Sequence, residues 1–195
     1  AVSVDERTTQ RPVVICVAPN GARRTKKDHP ALPMTPAELG REAAACADAG
    51  ASVIHLHVRN EEGSHSLDVH RYRTAIDSVR ASTQDQMLVQ VTTEAVGIYR
   101  PAEQISVIKE LRPHAASVAV RELIPDDAHR GQAIEFFDWC GRNSVALQFI
   151  VYTPEEASFI KDMARRGDLG CEAPNTLFVL GRYTEGQRSS PGDLL

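Results

Sequence analysis

No apolar run in this chain approaches the about 20 residues that a helix needs to cross a bilayer. A basic excess is missing too: 22 Lys and Arg against 26 Asp and Glu leave a net charge of −4, without the positive footprint that nucleic-acid binding requires. Cys16, Cys46, Cys140 and Cys171 are far apart and form no Cys-x-x-Cys pair, so neither a disulfide framework nor a paired-thiol metal motif is indicated. These thiols are expected to be reduced and mostly buried. The opening residues, Ala1 to Gln10, are too polar and acidic for a secretory signal. Also lacking is the G-x-G-x-x-G turn of dinucleotide-binding folds, whose place after the first apolar run is taken by Ala18-Pro19-Asn20-Gly21-Ala22. What is left is an ordinary globular composition, 42% hydrophobic and 25% charged, for which a soluble, cytoplasmic protein without nucleic-acid or membrane partners is expected.

Six short β-branched runs do stand out, at residues 13–17, 52–58, 87–92, 116–120, 146–151 and 176–180. Each reads as a strand buried on both faces, as in a parallel sheet. Helix punctuation separates them. Thr35-Pro36-Ala37-Glu38 is a capping box with proline in the first turn, and Gly50 is placed to end that helix in the left-handed conformation. Asp68 is placed to cap the next helix, and Thr153-Pro154-Glu155-Glu156 opens another that should end near Gly167. Alternating β and α units imply an α/β fold, and a TIM (β/α)8 barrel is favoured over a doubly wound sheet. Residues 1–12 read as a lead-in and residues 13–195 as the barrel domain, with six of the eight βα units. Ser189-Ser190-Pro191-Gly192-Asp193 reads as the start of a further helix, so the barrel is expected to be cut short before its last two units.

The chemistry concentrates on Val53-Ile54-His55-Leu56-His57-Val58-Arg59. Residues i and i+2 of a strand share a face, so His55 and His57 project together. Two imidazoles on a buried strand each need a partner if neutral and repel if charged. A shared divalent cation meets both demands, and a pair of hydrogen-bonded core histidines is the bland alternative. Barrel chemistry sits at the carboxyl ends of the strands, where the chain also places Asn20, Arg23, Arg59, Thr92, Thr93, Glu94, Ser117 and Glu122. The basic run Arg23-Arg24-Thr25-Lys26-Lys27 is either a solvated loop or a seat for an anion such as a carboxylate or the phosphates of coenzyme A. His65, His70, His114 and His129 have no matched spacing and are expected at the surface.

An ordered set of stretches resembles the β-keto acid cleavage enzyme family, whose founding activity is 3-keto-5-aminohexanoate cleavage. They are Val17-Ala18-Pro19-Asn20-Gly21-Ala22, Asp28-His29-Pro30-Ala31-Leu32-Pro33-Met34-Thr35, the H-L-H-V-R run with Ala49-Gly50-Ala51 before it, Gln90-Val91-Thr92-Thr93-Glu94-Ala95-Val96-Gly97, and Phe178-Val179-Leu180-Gly181. The resemblance implies a TIM barrel holding Zn2+ or another divalent metal, a homo-oligomer (a tetramer in the family), and acetyl-CoA as co-substrate. It implies a reaction in which a β-keto acid and acetyl-CoA give acetoacetate and an acyl-CoA, the zinc polarising the keto oxygen. His55 and His57 are the zinc ligands it implies. Thr92 and Ser117 are implied as substrate contacts, with Thr93 and Glu94 sharing that role because the third-strand motif is one residue shorter than Q-P-S-T-G-G-A-V-G. Asn20 and Arg23 fall among the substrate-binding positions, and Arg59 and Glu122 among those that act in the chemistry or support it. Arg23 stands where the founding member has a glutamate, which favours a neutral or anionic substrate over an amine. The family's late R-V-G-x-E-[DN] motif, source of a glutamate ligand, is absent, which leaves Glu94 or Glu122 as substitutes. The rivals are a metal-dependent aldolase or hydrolase on the same barrel, and a catalytically incomplete subunit or binding module.

Overall fold

The computed structural model describes residues 13–180 and Gly186. Six parallel strands make the main sheet: β1 (Cys16–Val17), β2 (Val53–Leu56), β5 (Leu88–Thr92), β6 (Ala115–Ala119), β7 (Ala146–Val151) and β8 (Asn175–Phe178). A separate antiparallel hairpin, β3 (Val58–Arg59) and β4 (His65–Ser66), follows β2 directly. The helices are α1 (Pro36–Asp48), α2 (Val69–Thr83), α3 (Pro101–Leu111), α4 (Val120–Leu123), α5 (Arg130–Arg142) and α6 (Pro154–Arg166).

The strand order across the sheet is β1-β2-β5-β6-β7-β8, each new strand added on the same side of the last. A doubly wound sheet reverses direction at its centre. This sheet does not, and winds one way as a barrel wall does. Among the described residues β1 and β8 remain its two edges. The fold is therefore α/β with six parallel strands of barrel type, as the periodicity implied. The expected helix start at Ser189 and the lead-in at 1–12 lie outside the described residues.

Local chemistry explains most boundaries. Thr35 Oγ1 accepts from the Glu38 amide while Glu38 accepts from the Thr35 amide at 3.0 Å, so both halves of the capping box form. Asp68 caps α2 through the Arg71 amide at 2.8 Å, and Thr153 caps α6 through the Glu156 amide. Gly50 and Gly167 have φ of 100° and 78°, the left-handed values that glycine tolerates at a helix exit. Helices α1 and α2 pack closely at Gly40, where a Cβ would lie 2.6 Å from Ser78 Oγ. The core lies between sheet and helices, around Ile54, Leu56, Val91, Tyr72, Phe136, Phe137 and Phe149, all fully buried.

Three expectations need correction. The first strand is two residues long rather than five, and Val13, Val14 and Ile15 before it are exposed, because β1 is an edge with a neighbour on one side. The second run does not stay one strand: β2 ends at Leu56, and the chain turns into the hairpin at Val58. The cysteines are free, but Cys16 and Cys171 are exposed and Cys46 is half-buried. Only Cys140 is buried, and desolvation pushes its thiol up to about 12.

Candidate active site

Register puts the polar side chains of the sheet on one face. His55 pairs with Gln90, Thr92 with Ser117, and Ser117 with Gln148, so these residues share the side opposite Ile54, Leu56 and Val91. His57 is not on β2 but just past its end, in the step to the hairpin. The two imidazoles still converge, Nε2 to Nε2, at 3.1 Å. Two ring nitrogens bound tetrahedrally to zinc at the usual ~2.0–2.1 Å stand about 3.3 Å apart.

The outer nitrogens face oxygen atoms at different distances. His55 Nδ1 lies 2.8 Å from Gln90 Oε1, and His57 Nδ1 lies 4.0 Å from Glu94 Oε2. A proton on each Nδ1 suits both neighbours, a hydrogen bond at His55 and a nearby charge at His57, and leaves two Nε2 lone pairs facing each other. A proton on His57 Nε2 instead sets its Nδ1 lone pair against a carboxylate. Both of these arrangements set two acceptors against each other, whereas a proton on His55 Nε2 donating to His57 Nε2, with the Gln90 amide reversed, does not. A shared cation removes the conflict in the first arrangement. Burial holds the His55 pKa below its ordinary value, opposed by the Gln90 hydrogen bond and the Glu94 charge, which favours the neutral form that ligates metal. The residues present thus fit a metal as a two-histidine pair.

No third ligand joins them: among the described residues no group of three His, Cys, Asp or Glu side chains could hold a metal ion. Neither proposed substitute faces the pair. Glu94 stands on the Nδ1 side of His57, and its other oxygen is 3.9 Å from Arg23 Nε. Glu122, on α4, accepts from the Ala95 amide at 3.0 Å and from Gln104 Nε2 at 2.9 Å, and so braces the loop after β5.

Arg59 is a brace as well. Its buried guanidinium donates to Gly63 O at 2.8 Å, Gly21 O at 2.7 Å and Arg24 O at 2.8 Å, which ties the hairpin to the loop after β1. Asn20 Nδ2 donates to His57 O at 2.9 Å, holding that carbonyl from the same loop. Of the expected substrate hydroxyls, Thr92 Oγ1 accepts from the Glu94 amide and Thr93 Oγ1 donates to Ser117 O, both at 3.0 Å. The Ser117 hydroxyl is buried and has no hydrogen-bond partner among the described residues. Arg23 is exposed beside Glu94, while Arg24 and Lys26 pair with Asp28 and Glu38, so much of the basic run is engaged locally.

Two features escaped sequence reasoning. An amide ladder extends from His55: Gln90 Nε2 donates to Gln148 Oε1 at 3.3 Å, and Gln148 Nε2 donates to Asn175 Oδ1 at 2.9 Å. Its signal was available, since Gln90 and Thr92 repeat the i, i+2 polar spacing of the histidines on a buried strand. The other is His65, expected at the surface and in fact 5% exposed. Its ring centroid is 5.3 Å from that of His57 and its Nε2 is 3.0 Å from Glu94 O. His70 and His114 are exposed, as expected, and His129 is half-buried against Asp126.

A one-way parallel wall with polar groups gathered at its strand ends around a histidine pair defines a protein of the α/β-barrel class. Within that class the chain belongs to the β-keto acid cleavage enzyme family: residues 12–195 match the family described as beta-keto acid cleavage enzyme. It is 41% identical over 86 residues to the 3-keto-5-aminohexanoate cleavage enzyme of Fusobacterium nucleatum, covering 44% of this chain and 32% of that one. Over 109 residues it is 32% identical to the 3-oxoadipate:acetyl-CoA acetyltransferase of Cupriavidus necator, covering 56% and 37%. The matched stretch thus spans about a third of each of these relatives. Among solved structures, Proteus mirabilis N-acetylneuraminate lyase aligns with a TM-score of 0.48 at 13% identity, over 86% of this chain and 55% of that one.

Proposed function

We propose that the chain serves the acyl exchange between a β-keto acid and acetyl-CoA that gives acetoacetate and a new acyl-CoA, with His55 and His57 as metal ligands. The reading is carried by the convergence of the two Nε2 atoms at 3.1 Å, with His55 Nδ1 hydrogen-bonded to Gln90 and a carboxylate 4.0 Å from His57 Nδ1. Support also comes from relatives named for acetyl-CoA transfer on 3-oxoadipate and 3,5-dioxohexanoate. The exchange balances without an oxidant or reductant: the C2–C3 bond of the keto acid and the acetyl–sulfur bond of acetyl-CoA break, the acyl group of the keto acid passes to the CoA sulfur, and the acetyl carbonyl carbon joins C2. When bound, zinc supplies Lewis-acid polarisation of the keto oxygen.

The chain's own groups do the rest. The Ser117 hydroxyl, buried on the same face, donates to a substrate oxygen, and the Asn20, Thr92 and Thr93 contacts hold the strand ends that shape the seat. Arg23 at the rim favours a neutral or anionic keto acid. The protein works as a cytoplasmic homo-oligomer in this reading.

Replacement of His57 by alanine should abolish zinc binding and acetoacetate formation together. Wild-type metal stoichiometry and turnover in that variant would overturn the assignment. A CoA thioester product separates this reaction from a hydrolase or aldolase, which would release a free acid or aldehyde.

A further inference from the structure

His65 is drawn into the site by the hairpin, whose antiparallel register sets it across from Arg59, two residues beyond His57. Its ring packs edge-on against Tyr99, with centroids 6.1 Å apart, and tilted against His57 at 5.3 Å. Its Nε2 sits 3.0 Å from the Glu94 carbonyl oxygen, and a carbonyl can only accept, so Nε2 carries the proton. The Glu94 amide is held from the other side by Thr92 Oγ1, also at 3.0 Å. Both backbone polar atoms of Glu94 are therefore fixed, one by a strand end and the other by the hairpin. The carboxylate they deliver stands 4.0 Å from His57 Nδ1.

We propose that His65 is a positioning residue: through the Glu94 carbonyl it helps to hold that carboxylate 4.0 Å from His57 Nδ1, where its charge favours the proton on Nδ1 and so the tautomer whose Nε2 lone pair faces His55. The second nitrogen of His65, Nδ1, is buried and has no hydrogen-bond partner among the described residues. A side chain needed only to fill this space could be apolar and avoid that cost. The use of histidine here follows from the single donor it sends to Glu94. This inference rests on the reading of His55 and His57 as a metal pair, since the tautomer matters because it exposes a ligand nitrogen.

The test exploits amide geometry. A glutamine amide nitrogen reaches the place of His65 Nε2, whereas an asparagine reaches only that of Nδ1. His65→Gln, His65→Asn and His65→Phe are compared with the wild-type chain in two measurements. Long-range 1H–15N NMR of the metal-free protein reports which nitrogen of His57 bears the proton. Competition against a chromogenic chelator reports Zn2+ affinity. Wild type and H65Q should share one Nδ1-protonated His57 and bind zinc within twofold of each other. H65N and H65F should show mixed tautomers and bind about tenfold more weakly, the lower end of what loss of support behind a ligand costs. Equal behaviour of H65N and H65Q, or a wild-type tautomer in H65F, would overturn the proposal. The Gln and Asn pair decides even if the Phe variant does not fold. Failure of the wild-type chain to bind zinc would instead sink the metal reading, while the tautomer comparison would still decide the part played by His65.

Discussion

Ser117 and Thr93 show how one buried hydroxyl differs from another. Thr93 Oγ1 donates to the Ser117 carbonyl, so it ties β5 to β6, while the Ser117 hydroxyl has no such duty among the described residues. Removing a buried polar group that makes no hydrogen bond costs little, whereas removing one that does costs about 0.5–1.5 kcal/mol. Ser117→Ala should therefore leave the thermal unfolding midpoint unchanged or slightly raised, and should raise KM for the keto acid. Thr93→Val should lower the midpoint. A large stability loss in Ser117→Ala would show that its hydroxyl serves the fold instead. Both residues looked alike as polar positions at strand ends, and only their partners separate them. Arg59 teaches the same lesson: its place beside the histidines suggested that it acts in the chemistry or supports it, and its donors reach four backbone carbonyls.

At the scale of elements, the capping box of α1 joins sequence to pH response. Glu38 is held down to about 2, first by the Lys26 ammonium at 2.6 Å and then by the Met34 and Thr35 amides. In the unfolded chain it returns to the ordinary value near 4.5. A carboxyl lowered on folding contributes stability that is full above its unfolded pKa and is lost as pH falls through the folded one. The stability gap between wild type and Glu38→Gln should thus be constant above about pH 5 and close between pH 4.5 and 2. Thermal melts across that range measure it, and a gap that persisted at pH 2 would contradict the ion pair. Thr35→Ala should cost about 1 kcal/mol at neutral pH through loss of the cap. These caps were legible because they depend on neighbours three residues away. The β2 boundary was not. Residues 52–58 are uniformly strand-like, and the break at His57 comes from the hairpin pairing of Val58–Arg59 with His65–Ser66.

For the whole molecule, the open arc predicts uneven stability. Strand β6 is buried at every position and paired on both sides, whereas β8 is largely exposed and, among the described residues, paired only to β7. Apart from Leu88 and Ile98, the large exposed apolar side chains among the described residues gather at the same edges, with Val13, Val14 and Ile15 beside β1, and Leu177, Phe178 and Leu180 at β8. Amide hydrogen exchange should therefore be slowest in β5 and β6 and fastest in β1 and β8, because local opening follows local burial. Comparable protection in β8 and β6 would mean that the edge is covered in solution. No helix among the described residues is long and apolar enough to cross a membrane.

The sequence by itself determined the alternation of strands and helices, the caps and the barrel-type class. Those features rest on short-range periodicity and on backbone groups satisfied within a few residues. Tertiary structure alone decided which groups meet. Glu94 comes to His57 from 37 residues away, and His65, spaced like a surface residue, is buried by a hairpin that no local pattern announced. The same packing turned Arg59 and Glu122 into braces and set Glu94 on the Nδ1 side of His57, away from the Nε2 pair. Such outcomes depend on the direction in which each strand end delivers its side chain, a quantity that spacing along the chain does not encode.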